Sequence, residues 1–183
     1  MANTKQKYTQ LSTTQLFELY GTEDTCRTFF FNLKWPEGYV CRECSHTQYN
    51  YIKTRSLFQC KCCVKQETVC THTIMQDTKL PLFTWILGLY YVTTSKQGIS
   101  SECLAEILGI STKASRLMMR KIRYAMEVSN ETFTLADTIE MDGTYVGSPS
   151  KNGKRGLGTD KTPVLISLSL DKGLYPKYLQ MNI

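Results

Sequence analysis

No stretch of this 183-residue sequence is apolar for long enough to cross a bilayer. The longest such run, Leu80–Val92, falls short of the roughly 20 residues a spanning helix needs and reads as a buried helix. The first residues, Met1–Gln10, are polar and carry no apolar core of the kind found in a secretion signal. The chain has no internal repeat. Its one glycine-rich segment, Gly153–Thr159, lacks the Lys-Ser/Thr that follows the last glycine of a phosphate loop and does not open a helix. These absences argue against membrane-spanning and nucleotide-binding classes and lead to the expectation of a cytoplasmic chain. Neither sign of charge dominates. A net charge of +6 and a pI near 8.8 permit nucleic acid as a partner without establishing it. Apolar content of 42% and charged content of 21% are globular values.

Cysteine is the residue present in excess, with eight in the chain. Four of them, Cys41, Cys44, Cys60 and Cys63, form two Cys-x2-Cys pairs separated by 15 residues. Each pair sets two thiolates on one tight knuckle, and the gap is long enough for a hairpin that joins the knuckles. Four sulfurs at about 2.3 Å close a tetrahedral Zn²⁺ site with no position left for substrate, so the expected role is structural. With no secretion signal, zinc is a better reading of these thiols than disulfides. His46 follows Cys44 closely and could replace a sulfur, but with four well-spaced thiols it reads as a surface residue of the knuckle. Cys62 could exchange with Cys63, but Cys60 and Cys63 alone keep the two-residue spacing. Cys26, Cys70 and Cys103 read as small core residues. His72 has no assigned role.

The pattern predicts a multi-domain α+β chain. Residues 1–37 are a helical lead-in, in which Ser12–Gln15 has capping-box spacing ahead of Leu16, Phe17, Leu19 and Tyr20. A second helix opens at Thr22-Glu23-Asp24, with Phe29, Phe30 and Leu33 as its core face, and ends at Trp35-Pro36. Residues 38–76 are the zinc ribbon, with strands over Tyr49–Ile52 and Arg55–Gln59. Residues 77–130 are helical, with Pro81 in the first turn of a helix over Leu82–Thr93. Strands over Ile139–Val146, Val164–Leu170 and Tyr175–Met181 fill residues 138–183, with a polar loop over Ser148–Lys161 and a turn at Asp171-Lys172-Gly173. Lys151, Lys154, Arg155 and Lys161 of that loop could touch a DNA backbone or simply face solvent.

Residues 98–127 have the grammar of a helix-turn-helix. Leu104, Ala105, Ile107 and Leu108 form the apolar side of the first helix. Gly109 can adopt the left-handed turn, Ile110 plugs the core and Ser111 caps the second helix. On the second helix Lys113, Arg116, Arg120 and Arg123 fall on one stripe, opposite Ala114, Leu117, Met118, Ile122 and Ala125. A basic stripe backed by an apolar one can face phosphates and base edges, or simply solvent. Arg116 and Arg120 are the first candidates for DNA contact.

Taken in order, these parts resemble the bacterial insertion-sequence transposases that join an N-terminal zinc ribbon to a DDE-type, RNase H-like catalytic domain. The resemblance is carried by Leu33–Gly38, the two cysteine pairs, Asp77–Leu82, Leu104-Ala105 through Met126, and Ile139–Gly147. It spans roughly Leu11 to Met181. It implies that residues 138–183 are the first three strands of the catalytic domain, with Asp142 at the position of the family's first catalytic Asp. Thr144-Tyr145-Val146-Gly147 agree with the family wording, while Gly143 stands where a Glu is common. The family reaction is DNA cleavage and strand transfer, in which carboxylates from separate strands hold two divalent metals, with Mg²⁺ suited to the site. The family's further acidic ligands lie downstream of the third strand and this chain ends at Ile183. Asp142 is therefore expected to be a partial Mg²⁺ site in a truncated chain that is inactive alone. Of the other nearby acids, Glu140, two residues away on the same strand face, is a candidate secondary acid, whereas Asp160 falls in the loop and Asp171 reads as a turn residue. The implied partner is double-stranded DNA at element ends, with homo-oligomerisation on DNA left open. Two other readings stand beside it: a non-catalytic DNA-binding regulator of transposition, and a ribbon that serves as a protein-interaction module.

Overall fold

A computed structural model describes residues 11–148, 160–170 and 175–182. The chain divides into two compact units, one ending at Arg123 and one beginning at Tyr124. The turn expected at Asp171-Lys172-Gly173 and most of the loop expected over Ser148–Lys161, including Lys151, Lys154 and Arg155, lie outside the described residues.

The first unit opens with α1 (Thr13–Tyr20) and α2 (Glu23–Lys34). Both begin with reciprocal caps. The Gln15 amide donates to Ser12 Oγ at 3.2 Å while the Ser12 amide donates to Gln15 Oε1 at 2.8 Å. Thr22 and Thr25 repeat the exchange at α2, so orphan amides are satisfied at both helix starts. Glu23 and Asp24 in the first turn of α2 and Lys34 in its last complement the helix dipole. The Cys26 thiol donates to Tyr20 O at 3.0 Å and is fully buried between the helices. Leu33, expected in the core, is 63% exposed. The last turn of α2 meets the ribbon rather than the other helices, and it turns Phe31 and Lys34 inward in place of Leu33.

The ribbon follows as an antiparallel sheet of β1 (Tyr49–Ile52), β2 (Leu57–Cys60) and a short β3 (Gln66–Glu67) that the sequence pattern did not reveal. β1 and β2 pair in the register Tyr49↔Cys60 to Ile52↔Leu57. An aromatic cluster fastens this sheet to α2. Phe31 sits 4.9 Å from Trp35 and 5.0 Å from Phe58 between ring centroids, and Tyr39 lies 5.0 Å from Trp35 and 4.9 Å from Tyr49. A buried ion pair adds a second tie, with Lys34 Nζ donating to Glu67 Oε2 at 2.8 Å and to Thr68 O at 2.9 Å. Both charges are thereby partnered, as burial requires.

Among the described residues the α-helices are completed by α3 (Leu82–Thr94), α4 (Ser101–Leu108) and α5 (Thr112–Glu131), while a 3₁₀ turn over Lys53–Arg55 takes the start of the strand expected from Arg55. Pro81 sits at the N-cap of α3 rather than inside its first turn. Trp85 is 2% exposed, and its indole donates to Thr78 Oγ1 at 2.9 Å. Gly88, in the middle of α3, lets Met118 come close: a Cβ there would lie 2.4 Å from Met118 Sδ. The turn from α4 to α5 forms as its residues dictate. Gly109 is left-handed at φ 64°, and the Ile110 amide donates to Ala105 O at 3.1 Å. Ser100 and Ser111 receive the amides of Cys103 and Ala114.

Three residues of these helices depart from expectation. Ile107 is 45% exposed and Cys103 is exposed, because α4 buries Leu104 and Ala105 with Leu108 half-buried beside them. At about 100° per residue, Ile107 and Cys103 point away from that face. On α5 the buried residues are Ser115, Met118, Met119 and Ile122, whereas Leu117 is 53% exposed, on the far side of the helix from them.

The second unit is an antiparallel meander of β4 (Thr138–Val146), β5 (Thr162–Leu170) and β6 (Pro176–Asn182). The register runs from Thr138↔Leu170 to Val146↔Thr162. Phe133 stacks on Tyr178 at 4.7 Å, and Ser169 Oγ donates to Ala136 O at 2.8 Å, so the segment before β4 covers one face of the sheet. No helix among the described residues is long and apolar enough to cross a membrane.

Candidate functional site: a four-cysteine metal centre

Two knuckles build the site. In the first, the Cys41 amide donates to His46 O at 2.9 Å and the Ser45 amide to Cys41 O at 2.8 Å. In the second, the Cys60 amide donates to Lys65 O at 2.9 Å, and the Cys62 amide points at Cys60 Sγ at 3.4 Å. Each knuckle turns back through a left-handed residue directly after its second cysteine, Ser45 at φ 57° and Val64 at φ 61°. For a β-branched residue such as Val64 this conformation is costly, so closure of the knuckle holds the backbone against a local preference.

The register of β1 with β2 brings the knuckles together. The four Sγ atoms of Cys41, Cys44, Cys60 and Cys63 lie within 4.8 Å of one another. Cys41 Sγ is 3.5 Å from Cys63 Sγ, and Cys44 Sγ is 3.5 Å from Cys60 Sγ. Ligands at about 2.3 Å around a tetrahedral ion stand about 3.8 Å apart, so the two 3.5 Å pairs need open by only a few tenths of an ångström to hold Zn²⁺. His46 and Cys62 stand outside this set of ligand atoms.

The electrostatics point the same way. Backbone amides, that of Cys44 foremost, draw the Cys41 thiol down to about 6. For Cys44 the His46 amide pulls downward, but burial and the three neighbouring sulfurs outweigh it and push the thiol up to about 12. For Cys63 the Lys65 amide pulls downward, but burial together with the Cys41 and Cys60 sulfurs raises the thiol. Four sulfurs in one place ionise together only if a cation compensates them, and a divalent ion with thiolate affinity does so. Tyr39 supplies a further sign. Its hydroxyl is buried and meets no close hydrogen-bond partner among the described residues, with the Cys41 sulfur as the polar group beside it. Burial first, then the nearby Glu67 and Cys41, hold that hydroxyl strongly towards its protonated form. A protonated phenol next to a thiolate is a ready donor to it.

The remaining expected site residues are placed as follows. Lys113, Arg116, Arg120 and Arg123 are all exposed along α5, and Arg116 is bridged to Glu102 of α4 at 3.3 Å. Asp142 is exposed on β4 opposite Ile166, with Glu140 opposite Leu168 on the same face. No group of three or more His, Cys, Asp or Glu side chains other than the four cysteines is arranged to hold a metal among the described residues. Asp160 is exposed ahead of β5, and Asp171 lies outside the described residues.

Residues 21–66, about a quarter of the chain, match the family described as the transposase zinc-ribbon domain, of the IS1595 type. The matched segment begins just before α2 and contains all four cysteines. No curated protein and no solved structure matches the chain.

Proposed function

We propose that this chain is the DNA-recognising part of a zinc-ribbon DDE transposase. One observation carries the reading: a transposase zinc-ribbon match lies on a four-cysteine cluster of metal-binding geometry. Cys41, Cys44, Cys60 and Cys63 would hold a structural Zn²⁺, which neutralises the thiolates and locks the two knuckles. The basic stripe Lys113, Arg116, Arg120 and Arg123 supports double-stranded DNA as the partner, because guanidinium and ammonium groups on one exposed helix face can reach phosphates and base edges together. The capped turn between α4 and α5 is compatible with a helix-turn-helix that presents α5 to a major groove.

The catalytic part of the proposal rests on Asp142. Its strand is the first of an antiparallel meander, the arrangement with which an RNase H-like domain would begin. Mg²⁺ bound there would stabilise the attacking and leaving oxygens of phosphodiester exchange. Asp142 would contribute one carboxylate ligand, with Glu140 a neighbour on the same strand face. A second reading, a DNA-binding regulator without strand-transfer activity, is favoured by one feature: β5 and β6, the strands that follow Asp142, carry no Asp or Glu.

The test uses zinc-loaded chain, a random-sequence duplex library, and supercoiled plasmid with Mg²⁺ or Mn²⁺. Enrichment of a duplex sequence supports DNA recognition. Nicking that disappears in Asp142→Ala while binding persists supports the catalytic assignment. Sequence-specific binding without nicking supports the regulator, and nicking retained in Asp142→Ala overturns the role of Asp142.

A further inference from the structure

We propose that Leu117 is a base-reading residue that packs against a thymine C5-methyl group in the major groove; this rests on the proposed docking of α5 on duplex DNA. A leucine on an apolar helix face needs no explanation, but Leu117 is not on that face. It is 53% exposed, while Ser115, Met118, Met119 and Ile122 take the core side of α5. Its neighbours on the exposed side are cations. Lys113 lies one turn before it and Arg120 one turn after, with Arg116 adjacent, and these residues with Ser111 and Ala114 line one surface depression. An apolar side chain framed by three cations is matched to a polyanion that carries an apolar group in its interior.

Duplex DNA meets that description. Phosphates flank the major groove, and the C5-methyl of thymine is the apolar feature on its floor. Leu117 has no hydrogen-bonding group in its side chain, so of the groups presented there it selects the methyl. Its place favours this role as well, because base contacts of a second helix in such a motif come from its N-terminal part. Ser111 caps α5, so Leu117 lies in its second turn. Arg116 differs from its neighbours in being bridged to Glu102 of α4 at 3.3 Å, an exposed pair that it can exchange for a phosphate. Lys113 and Arg120 have no ion-pair partner among the described residues.

The experiment selects a duplex from a random library with the full zinc-loaded chain. Each thymine of the selected site is then replaced singly by deoxyuridine, which removes only the methyl. Wild type is expected to lose about fourfold in affinity at one or two positions, as burial of a single carbon at about 0.8 kcal/mol implies. Leu117→Ala should bind the selected duplex more weakly and show no loss at those same positions. Leu117→Met, which keeps the apolar reach, should retain the sensitivity. Exposure of the side chain means that all three proteins should melt alike, which thermal denaturation checks. If wild type is indifferent to every methyl, or Leu117→Ala stays as sensitive as wild type, the assignment of Leu117 is overturned while DNA recognition stands. If no sequence is enriched, the DNA reading itself falls and takes this inference with it.

Discussion

Tyr39 illustrates how a single atom can report a missing counterpart. Its hydroxyl is buried beside the Cys41 sulfur with no close partner among the described residues, an expensive arrangement unless a thiolate accepts the proton's hydrogen bond. Tyr39→Phe keeps the ring in the aromatic cluster and removes only the donor. Competition with a chelator should show weaker zinc binding, by roughly tenfold or more as for other partners of metal ligands. The thiolate-to-metal absorption of the Co²⁺-substituted protein should shift as well. Unchanged affinity and spectrum would mean that the hydroxyl serves packing alone. Cys26 gives a second expectation at this scale. Burial first, then Glu23, raises its thiol to about 11. A raised folded value means that the contribution of Cys26 is complete below about 9 and is lost as pH climbs through about 11. Melting temperature should therefore fall more steeply across that window in wild type than in Cys26→Ala. Parallel curves would remove Cys26 from the alkaline transition.

At the scale of elements, Gly88 is the position where helix propensity and packing disagree. Glycine costs about 1 kcal/mol relative to alanine in a helix interior. It sits in the middle of α3 nonetheless, because a Cβ there would press on Met118 Sδ. Gly88→Val should lower stability by about 1–3 kcal/mol in denaturant titrations, as overpacking does. A gain in stability would show that Met118 swings aside freely. The elements themselves were largely legible in the sequence. Ser12, Thr22, Ser100 and Ser111 mark helix starts by local chemistry, and Gly109 marks a stop, so each signal lies within a few residues of the feature it sets. The cysteine spacing was legible for the same reason. Burial at Leu33, Ile107, Cys103 and Leu117 was not, because it depends on which element lies opposite, and short helices leave several apolar residues without a partner. The two-residue β3 was too short to leave a periodic trace.

Across the whole molecule, the metal centre and the helical core meet through α2, which carries Phe31 and Lys34 to the ribbon and Cys26 and Phe30 to the helices. Removal of zinc by a chelator, or Cys60→Ser, should therefore lower the stability of the first unit as a whole. Structural zinc contributes on the order of 10 kcal/mol in isolated fingers. Circular dichroism after chelation would check this, and helix content that is indifferent to metal would confine the effect to the ribbon. The two tryptophans turn this coupling into something visible by eye of a fluorimeter. Trp35 lies in the aromatic cluster against the ribbon and Trp85 in the helical core, at 8% and 2% exposure, and the chain has no others. Nature has thus placed one optical probe on each side of the joint. With Trp35→Phe and Trp85→Phe as single-colour instruments, coincident emission curves during metal withdrawal would identify one cooperative body, and separated curves would time the order in which its halves let go.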